Sequence, residues 1–371
     1  MKRIIIQVCK YAVSFSLLAY LFYSASRNDS FRDLIDQPKH WGLLVIALLV
    51  TMAATMLSMV RWYLLVRALD LPFTLRDAFR LGFLGYMFNF FSFGVVGGDL
   101  LKAVTIARQQ PERRAEAMAT VFIDRAVGLY ALFILVTCGF LWINATGFEV
   151  GSETVSSAID RLSQVAIGVT AVGAVAGCVI LSPGFTRNPL SRAATRLPVI
   201  GGVVERLLGA AEMYRRRIPL LMVAMGMSVL VHCMSAVSIY LLASGLPGPA
   251  PSFATHFVIV PIATVAAAVP LPGGLGAFEM ALNLLYRNAM GAATVGSKGF
   301  VVALAALVIK LLIAAVGMVM YLASRKRIED LMHETPGELT PESANEPAPI
   351  LAPAPSRLVD SPAPAAARRV A

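Results

Sequence analysis

Charge is scarce in this sequence: 15% of its 371 residues are Asp, Glu, Lys or Arg, and 57% are hydrophobic. Soluble domains carry about 25% charged and about 45–50% apolar residues. A soluble protein of this length has one or two domains to coat with polar surface, and the charge for that coat is missing. Lipid has to cover much of the chain instead. The four cysteines, Cys9, Cys138, Cys178 and Cys233, all lie in apolar stretches, and none is paired at C-x-x-C spacing. That excludes a zinc ribbon and a disulfide framework and leaves buried thiols acting as small apolar side chains. The four histidines (His40, His232, His256, His333) form no H-E-x-x-H, and no G-x-x-x-x-G-K-[ST] occurs. Neither a metal, a nucleotide nor any other cofactor is expected.

What charge there is has one dominant sign, with a formal net of +10. The basic residues cluster in short connections beside apolar segments, where they act as topology signals and contact anionic headgroups. This placement argues for membrane lipids as partners and against nucleic acid.

About 20 apolar residues are needed to cross the hydrocarbon core. Six stretches qualify: Ile4–Tyr23, Trp41–Val60, Met118–Ile143, Leu162–Leu181, Leu220–Ala243 and Gly299–Ala323. The first has an alternative reading as a cleaved signal peptide, with Lys2, Arg3 and Lys10 ahead of its apolar core and Ser24-Ala25-Ser26 behind it; its length favours a span. Two more hydrophobic stretches, Leu81–Gly98 and Thr255–Tyr286, are interrupted by glycine and proline.

Loop charges orient these segments. Arg61, Arg67, Arg76 and Arg80 follow the second span, and Lys102, Arg108, Arg113 and Arg114 precede the span from Met118. Arg187, Arg192, Arg196, Arg206 and Arg215–Arg217 precede Leu220, and Arg325, Lys326 and Arg327 follow the last span. Asn144–Asp160 has acids but no base, and Ser244–Ala254 is uncharged. By the positive-inside bias the basic loops and both termini are cytoplasmic. Leu81–Gly98 then has basic loops on both sides and must enter and return, with Asp99–Ala117 as its returning arm or as a surface helix. The same parity makes Thr255–Tyr286 cross an even number of times. The expected fold is an all-α polytopic membrane protein with about six full spans and two glycine-rich re-entrant hairpins of opposite orientation, an arrangement common in transporters. Eight simple spans, with one or two loops violating the charge bias, are the alternative. Residues 1–327 form the membrane domain, and 328–371 read as a disordered, Pro/Ala-rich cytoplasmic tail.

The two breaks hold the residues with chemical potential. Gly94, Gly97 and Gly98 let the chain unwind, Asp99 follows them, and Lys102 lies three residues on, one helical turn away. The second break reads Pro270-Leu271-Pro272-Gly273-Gly274-Leu275-Gly276 and is followed by Glu279, so each break delivers one carboxylate. Unwound backbone at membrane depth persists only against protein or a wet cavity. Asp124 and Arg125 lie inside the span from Met118, and Lys310 is near the centre of the last span. A central Lys or Asp costs about 2.5–3.5 kcal/mol on insertion scales, so such residues face the protein interior and have partners. Lys310 can form a structural ion pair with Glu279, Asp99 or Asp124. Alternatively, Arg125 and Lys310 hold an anionic headgroup while the carboxylates balance them. His232 and His256 read as packing residues.

With Gly97-Gly98-Asp99 and Lys102, then Asp124-Arg125, then Pro272-Gly273-Gly274-Leu275-Gly276-Ala277-Phe278-Glu279, the chain resembles the lysylphosphatidylglycerol synthase transmembrane-region family, up to about Arg327. Phe93 stands where that family often has proline, and Lys102 where it often has arginine. The family includes hopanoid-associated members, and its bifunctional members add a cytoplasmic aminoacyl-transferase domain. The resemblance implies the lipid-translocating half of such a protein, with substrate-binding residues Gly97, Gly98, Asp99, Lys102, Asp124, Arg125, Pro272, Gly273, Gly274, Gly276, Glu279 and Lys310. The expected function is a non-enzymatic transporter or flippase for an amphipathic lipid (hopanoid, phospholipid or polyprenyl-linked) in a bacterial inner membrane, served by a separate lipid-biosynthetic enzyme. A membrane-embedded transferase acting on a lipid-linked substrate is an alternative, and a non-catalytic partner subunit is another.

Overall fold

The computed structural model describes residues 23, 36–91, 95–146, 153–182, 213–267, 276–291 and 297–333. The first apolar segment apart from Tyr23, the core of each glycine break (92–94 and 268–275) and the tail from 334 lie outside the described residues. The described chain is helical: α1 Trp41–Arg67, α2 Leu75–Phe91, α3 Val95–Gln109, α4 Arg114–Thr146, α5 Glu153–Leu181, α6 Ile218–Gly245, α7 Phe253–Ala266, α8 Ala277–Met290 and α9 Lys298–His333. The chain divides after Arg325 into two units; in the second, residues 326–333 are helical.

Among the described residues, four segments are long and apolar enough to cross a membrane: Trp41–Arg67, Arg114–Trp142, Ile218–Gly245 and Lys298–Met320. At 1.5 Å per residue even the shortest spans about 34 Å, beyond the roughly 30 Å hydrocarbon core. A fifth expected span lies in α5, whose apolar part is Ser163–Val179.

The broken stretches fold as two helical hairpins. Thr74 and Asp77 start α2 with a reciprocal cap, the Asp77 amide donating to Thr74 Oγ1 and the Thr74 amide to Asp77 Oδ2, both at 3.2 Å. Near the tip, the Gly98 amide donates to Asn89 Oδ1 at 2.9 Å; at the base, Gln110 Nε2 donates to the Pro72 carbonyl at 2.9 Å. Both ends of the α2–α3 unit therefore lie at one face. This is the entering and returning segment that loop-charge parity requires, and a single crossing is inconsistent with it. The arms touch backbone to backbone, because a Cβ on Gly98 would collide with the Gly85 carbonyl. In the second hairpin His256, near the start of α7, meets Tyr286, near the end of α8, through a 2.7 Å Nε2–Oη hydrogen bond. Ser252 caps α7 by accepting from the Thr255 amide at 3.2 Å, and Gly276 opens α8 at φ +89°, a conformation that suits glycine. The arms have 14–17 residues, so each reaches about 21–25 Å and falls short of a full crossing.

Helices α1 and α6 lie side by side and antiparallel. The His40 amide donates to the Gly245 carbonyl at one end, Tyr214 Oη donates to the Leu65 carbonyl at the other, and Thr51 and Ser238 share a 2.7 Å bond between them. The order span, hairpin, span thus occurs twice with inverted direction: α1, α2–α3, α4 and then α6, α7–α8, α9. The first hairpin hangs from the end where α1 finishes. The second hangs from the opposite end, where Lys298 Nζ ties the start of α9 to the Leu246 and Gly248 carbonyls at 2.9 and 2.5 Å. One apolar cluster joins the two halves, bringing Phe83 of α2 together with Ile239, Phe278 and Ile309. Helix α9 crosses α2 at Gly317, where a Cβ would strike the Phe83 carbonyl.

Cysteines introduced at Thr74 and Gln110 should react with an impermeant maleimide from one face of the membrane, and those at Ser252 and Gly291 from the other. Labelling of positions 74 and 110 from opposite faces would make the first hairpin a simple span.

Candidate functional site

Each hairpin points its carboxylate toward the neighbouring span of its own half, but the two halves use it differently. Asp99 sits in the first turns of α3. Arg125 on α4 grips it with two nitrogens: Nη2 donates to Oδ1 at 2.7 Å and Nε donates to Oδ2. This two-pronged geometry suits a guanidinium and not an ammonium. Lys102 Nζ stands 3.9 Å from Asp99 Oδ1 and 5.4 Å from the Trp62 ring centroid, sharing one carboxylate with Arg125 and drawing further stabilisation from the indole face. Its stem runs past Gly85, where any Cβ would lie 2.8 Å from Lys102 Cε.

Asp124 precedes Arg125 on α4, and a helix turns about 100° per residue, so the two face different neighbours. Asp124 meets Arg61 of α1, whose Nε donates to Oδ1 at 2.8 Å and whose Nη1 donates to Ser228 Oγ of α6 at 2.6 Å. Arg61 is only 5% exposed. The guanidinium fits because residue 128 is glycine; a Cβ there would lie 3.2 Å from Arg61 Nη1. The Gly128 carbonyl bonds His232 Nε2 at 3.0 Å, so that histidine has a packing role with a satisfied nitrogen.

In the second half Glu279 is 2% exposed, and its Oε2 accepts the Gly276 amide at 2.7 Å. It closes the N-terminus of its own helix, where a carboxylate is also favoured by the helix dipole. Lys310 is 4.5 Å from the Phe278 ring centroid. Among the described residues, no carboxylate lies within ion-pair distance of it.

Of the residues singled out from sequence, the structure gathers Asp99, Lys102 and Arg125 around the first hairpin, with Gly97 and Gly98 buried near its tip. Asp124 adjoins them through α4 but pairs elsewhere. Gly276, Glu279 and Lys310 gather around the second hairpin, while Pro272, Gly273 and Gly274 lie outside the described residues. Of the partners open to Lys310 from sequence, Asp99 and Asp124 are engaged by arginines. Loop charge puts Arg61 in a cytoplasmic connection, but it is a buried residue of α1. Its signal was present: Trp62-Tyr63-Leu64-Leu65-Val66 continues the apolar run for more than a turn beyond it. Ser228, Trp62, Asn89 and Gly128 were also missed, and only their contacts reveal them.

The family model described as the lysylphosphatidylglycerol synthase TM region matches residues 7–319. The chain belongs to the lysylphosphatidylglycerol synthase transmembrane-region family. No curated protein and no solved structure matches it. The match takes in both hairpins and every charged residue of the two clusters, and this member of the family is a multi-pass membrane protein.

Breaking a buried ion pair strands one charge, at a cost of about 3–5 kcal/mol, whereas replacing both partners with apolar residues is often near neutral. Arg61→Met alone should therefore lower the detergent thermal midpoint sharply, and Arg61→Met with Asp124→Leu should recover most of the loss. An equal loss in the double variant would assign Arg61 a stabilising role outside this pair.

Proposed function

We propose that this chain is a transporter that moves an amphipathic lipid between membrane leaflets without covalent chemistry. One observation carries the reading: two half-crossing hairpins open to opposite ends of the molecule, and each lies beside a span that carries a cation, Arg125 or Lys310. A polar headgroup cannot cross hydrocarbon unaided, because each unpaired polar group costs several kcal/mol there. Short hairpins that stop at mid-depth provide a polar surface on which a headgroup can pause while its tails remain in lipid. Opposed hairpins provide one such surface from each side, as alternating access requires.

Several features support the remaining parts of the reading. The positive-inside bias supports a cytoplasmic position for the end carrying Arg67, Arg76, Arg108, Arg113, Arg114 and Arg215–Arg217 and for both termini, and the reading takes the membrane to be a bacterial inner membrane. Hopanoid, phospholipid and polyprenyl-linked lipids all have the required division into polar head and apolar body. A separate enzyme would build the lipid. At the first hairpin Arg125 is half exposed and Asp99 shielded, so an anionic headgroup reaching Arg125 would compete with Asp99 for the same guanidinium. Exchange between these two partners couples headgroup arrival to release of the α3 arm from α4.

In liposomes reconstituted with the full chain, wild type should move labelled lipid between leaflets faster than protein-free vesicles. Arg125→Ala and Glu279→Ala should each slow that movement by about tenfold or more, the scale of one lost charge-assisted contact. Background-level movement of several lipid classes by all three proteins would remove the proposal.

A further inference from the structure

A cavity of about 170 Å³ lies inside the membrane domain, between the α1–α6 pair and the second hairpin. Lys310 of α9 reaches it, and Phe278 of α8 forms part of its wall. Its polar lining otherwise consists of hydroxyls: Thr51 of α1, Ser235 and Ser238 of α6, and Thr264 of α7. The remaining described lining residues are apolar, and no carboxylate is among the described ones. One cation, four hydroxyls and an apolar wall at membrane depth are an unusual combination for a space with only a packing role. A cation in a low-dielectric site needs an anion or several acceptors; Lys310 has the Phe278 ring and the field of Glu279, whose carboxylate lies beyond ion-pair distance and is bonded to the Gly276 amide.

The hydroxyls are held in reserve. Thr264 Oγ1 donates to the Val260 carbonyl at 2.7 Å, and Ser235 Oγ donates to the Val231 carbonyl at 2.9 Å. Thr51 and Ser238 lie 2.9 and 3.0 Å from the Ala47 carbonyl and 2.7 Å from each other, so their two protons serve three contacts. For Thr51, Ser235 and Thr264 the acceptor is a carbonyl one turn back that already belongs to the helix, for Ser238 it is the Ala47 carbonyl of α1, and a hydroxyl rotor can swing each proton elsewhere. A bond to a charged oxygen is stronger than a bond to a neutral carbonyl, so an entering oxyanion would draw these donors toward itself. The charge of the site also limits the ligand. Lys310 is the one cation among the described lining residues, and Glu279, within Coulombic reach of Lys310, is a fixed carboxylate that disfavours a second negative charge. The volume has room for several water molecules and so for a small oxyanion such as a phosphate group.

We infer that this cavity is the oxyanion subsite of the transporter proposed above, taking a singly charged phosphodiester on Lys310 with Thr51, Ser235, Ser238 and Thr264 as hydroxyl donors. The inference rests on that transport reading for its biological sense but is tested separately from it. It divides labour between the two halves: the first hairpin holds its cation on Asp99, and the second leaves its cation to the ligand.

Retention by the full chain in neutral detergent, read by native mass spectrometry, tests this with phosphatidylmethanol, a minimal phosphodiester lipid, and a chain-matched diacylglycerol. Wild type should retain the phosphodiester lipid over the diacylglycerol. Lys310→Gln should weaken its retention by about tenfold or more, as expected on losing a charge-assisted contact, while Lys310→Arg retains it. Thr264→Val and Ser235→Ala should each weaken it by a smaller factor, and they carry the test if Lys310→Gln does not fold. Dimethyl phosphate, the same anion without a lipid, separates the sources. Displacement of the lipid at comparable concentration makes the ligand a soluble phosphodiester, and retention against a hundredfold excess makes it a headgroup; both keep the subsite. Equal retention of both lipids by wild type, or undiminished retention in a folded Lys310→Gln or in both hydroxyl variants, would overturn the inference. Lysine-dependent retention by a chain that moves no lipid keeps the subsite and removes transport; normal lipid movement with lysine-independent retention does the reverse.

Discussion

An ionised side chain held at membrane depth must be answered by another charge, a ring face or a ligand, because water is not there to do it. Arg61, Asp99, Lys102, Asp124, Arg125, Glu279 and Lys310 all fall under this constraint, and the helices are arranged to satisfy it. The pair Arg61–Asp124 joins α1 to α4 and, through Ser228, to α6. The pair Arg125–Asp99 joins α4 to the first hairpin. The first link crosses between elements far apart in sequence and the second ties consecutive ones, so the charges act as specific ties in a medium where apolar helix faces discriminate poorly among neighbours.

Close backbone packing is the second ingredient. Hydrophobic association contributes little between helices already in lipid, so contact has to come from fit. Gly98 lies against Gly85 inside the first hairpin, Gly317 lies against the backbone of α2, and Gly299 lies against the backbone of α8 at Asn283, whose Oδ1 accepts the Phe300 amide at 3.2 Å. Small residues at these crossings let short arms stand inside the bundle without a groove of lipid around them. The charges come within reach in the same bundle, Arg125 of α4 meeting Asp99 of α3. Packing and electrostatics are one design here, since the glycines set the distance over which the ion pairs act.

The class of fold could be read from the chain because a bilayer imposes strong rules. Lengths of apolar runs located α1, α4, α6 and α9 to within a few residues at their starts, and loop arginines required an entering and returning α2–α3 unit. What sequence could not supply was pairing. Asp124 and Arg125 are neighbours in sequence and point to different helices, and Glu279 serves its own helix terminus while Lys310 faces a cavity. These outcomes depend on rotation about helix axes and on crossings at Gly128 and Gly317, which hydropathy does not encode. Arg61 was misplaced for a related reason. Charge near the end of an apolar run reads as a boundary, but α1 continues six residues beyond it, and Asp124 makes that continuation affordable.

The proposed transport has one consequence that bears on the whole account. If lipid headgroups move along opposed hairpins between leaflets, a cell lacking this chain should hold one lipid in the wrong leaflet. A leaflet-resolved lipid inventory of a deletion strain, its parent and a strain complemented with Arg125→Ala is the most direct measurement. The account predicts that one amphipathic lipid is trapped on its side of synthesis in the deletion strain and in the Arg125→Ala strain, but not in the parent. Identical inventories in both leaflets of all three strains would contradict it.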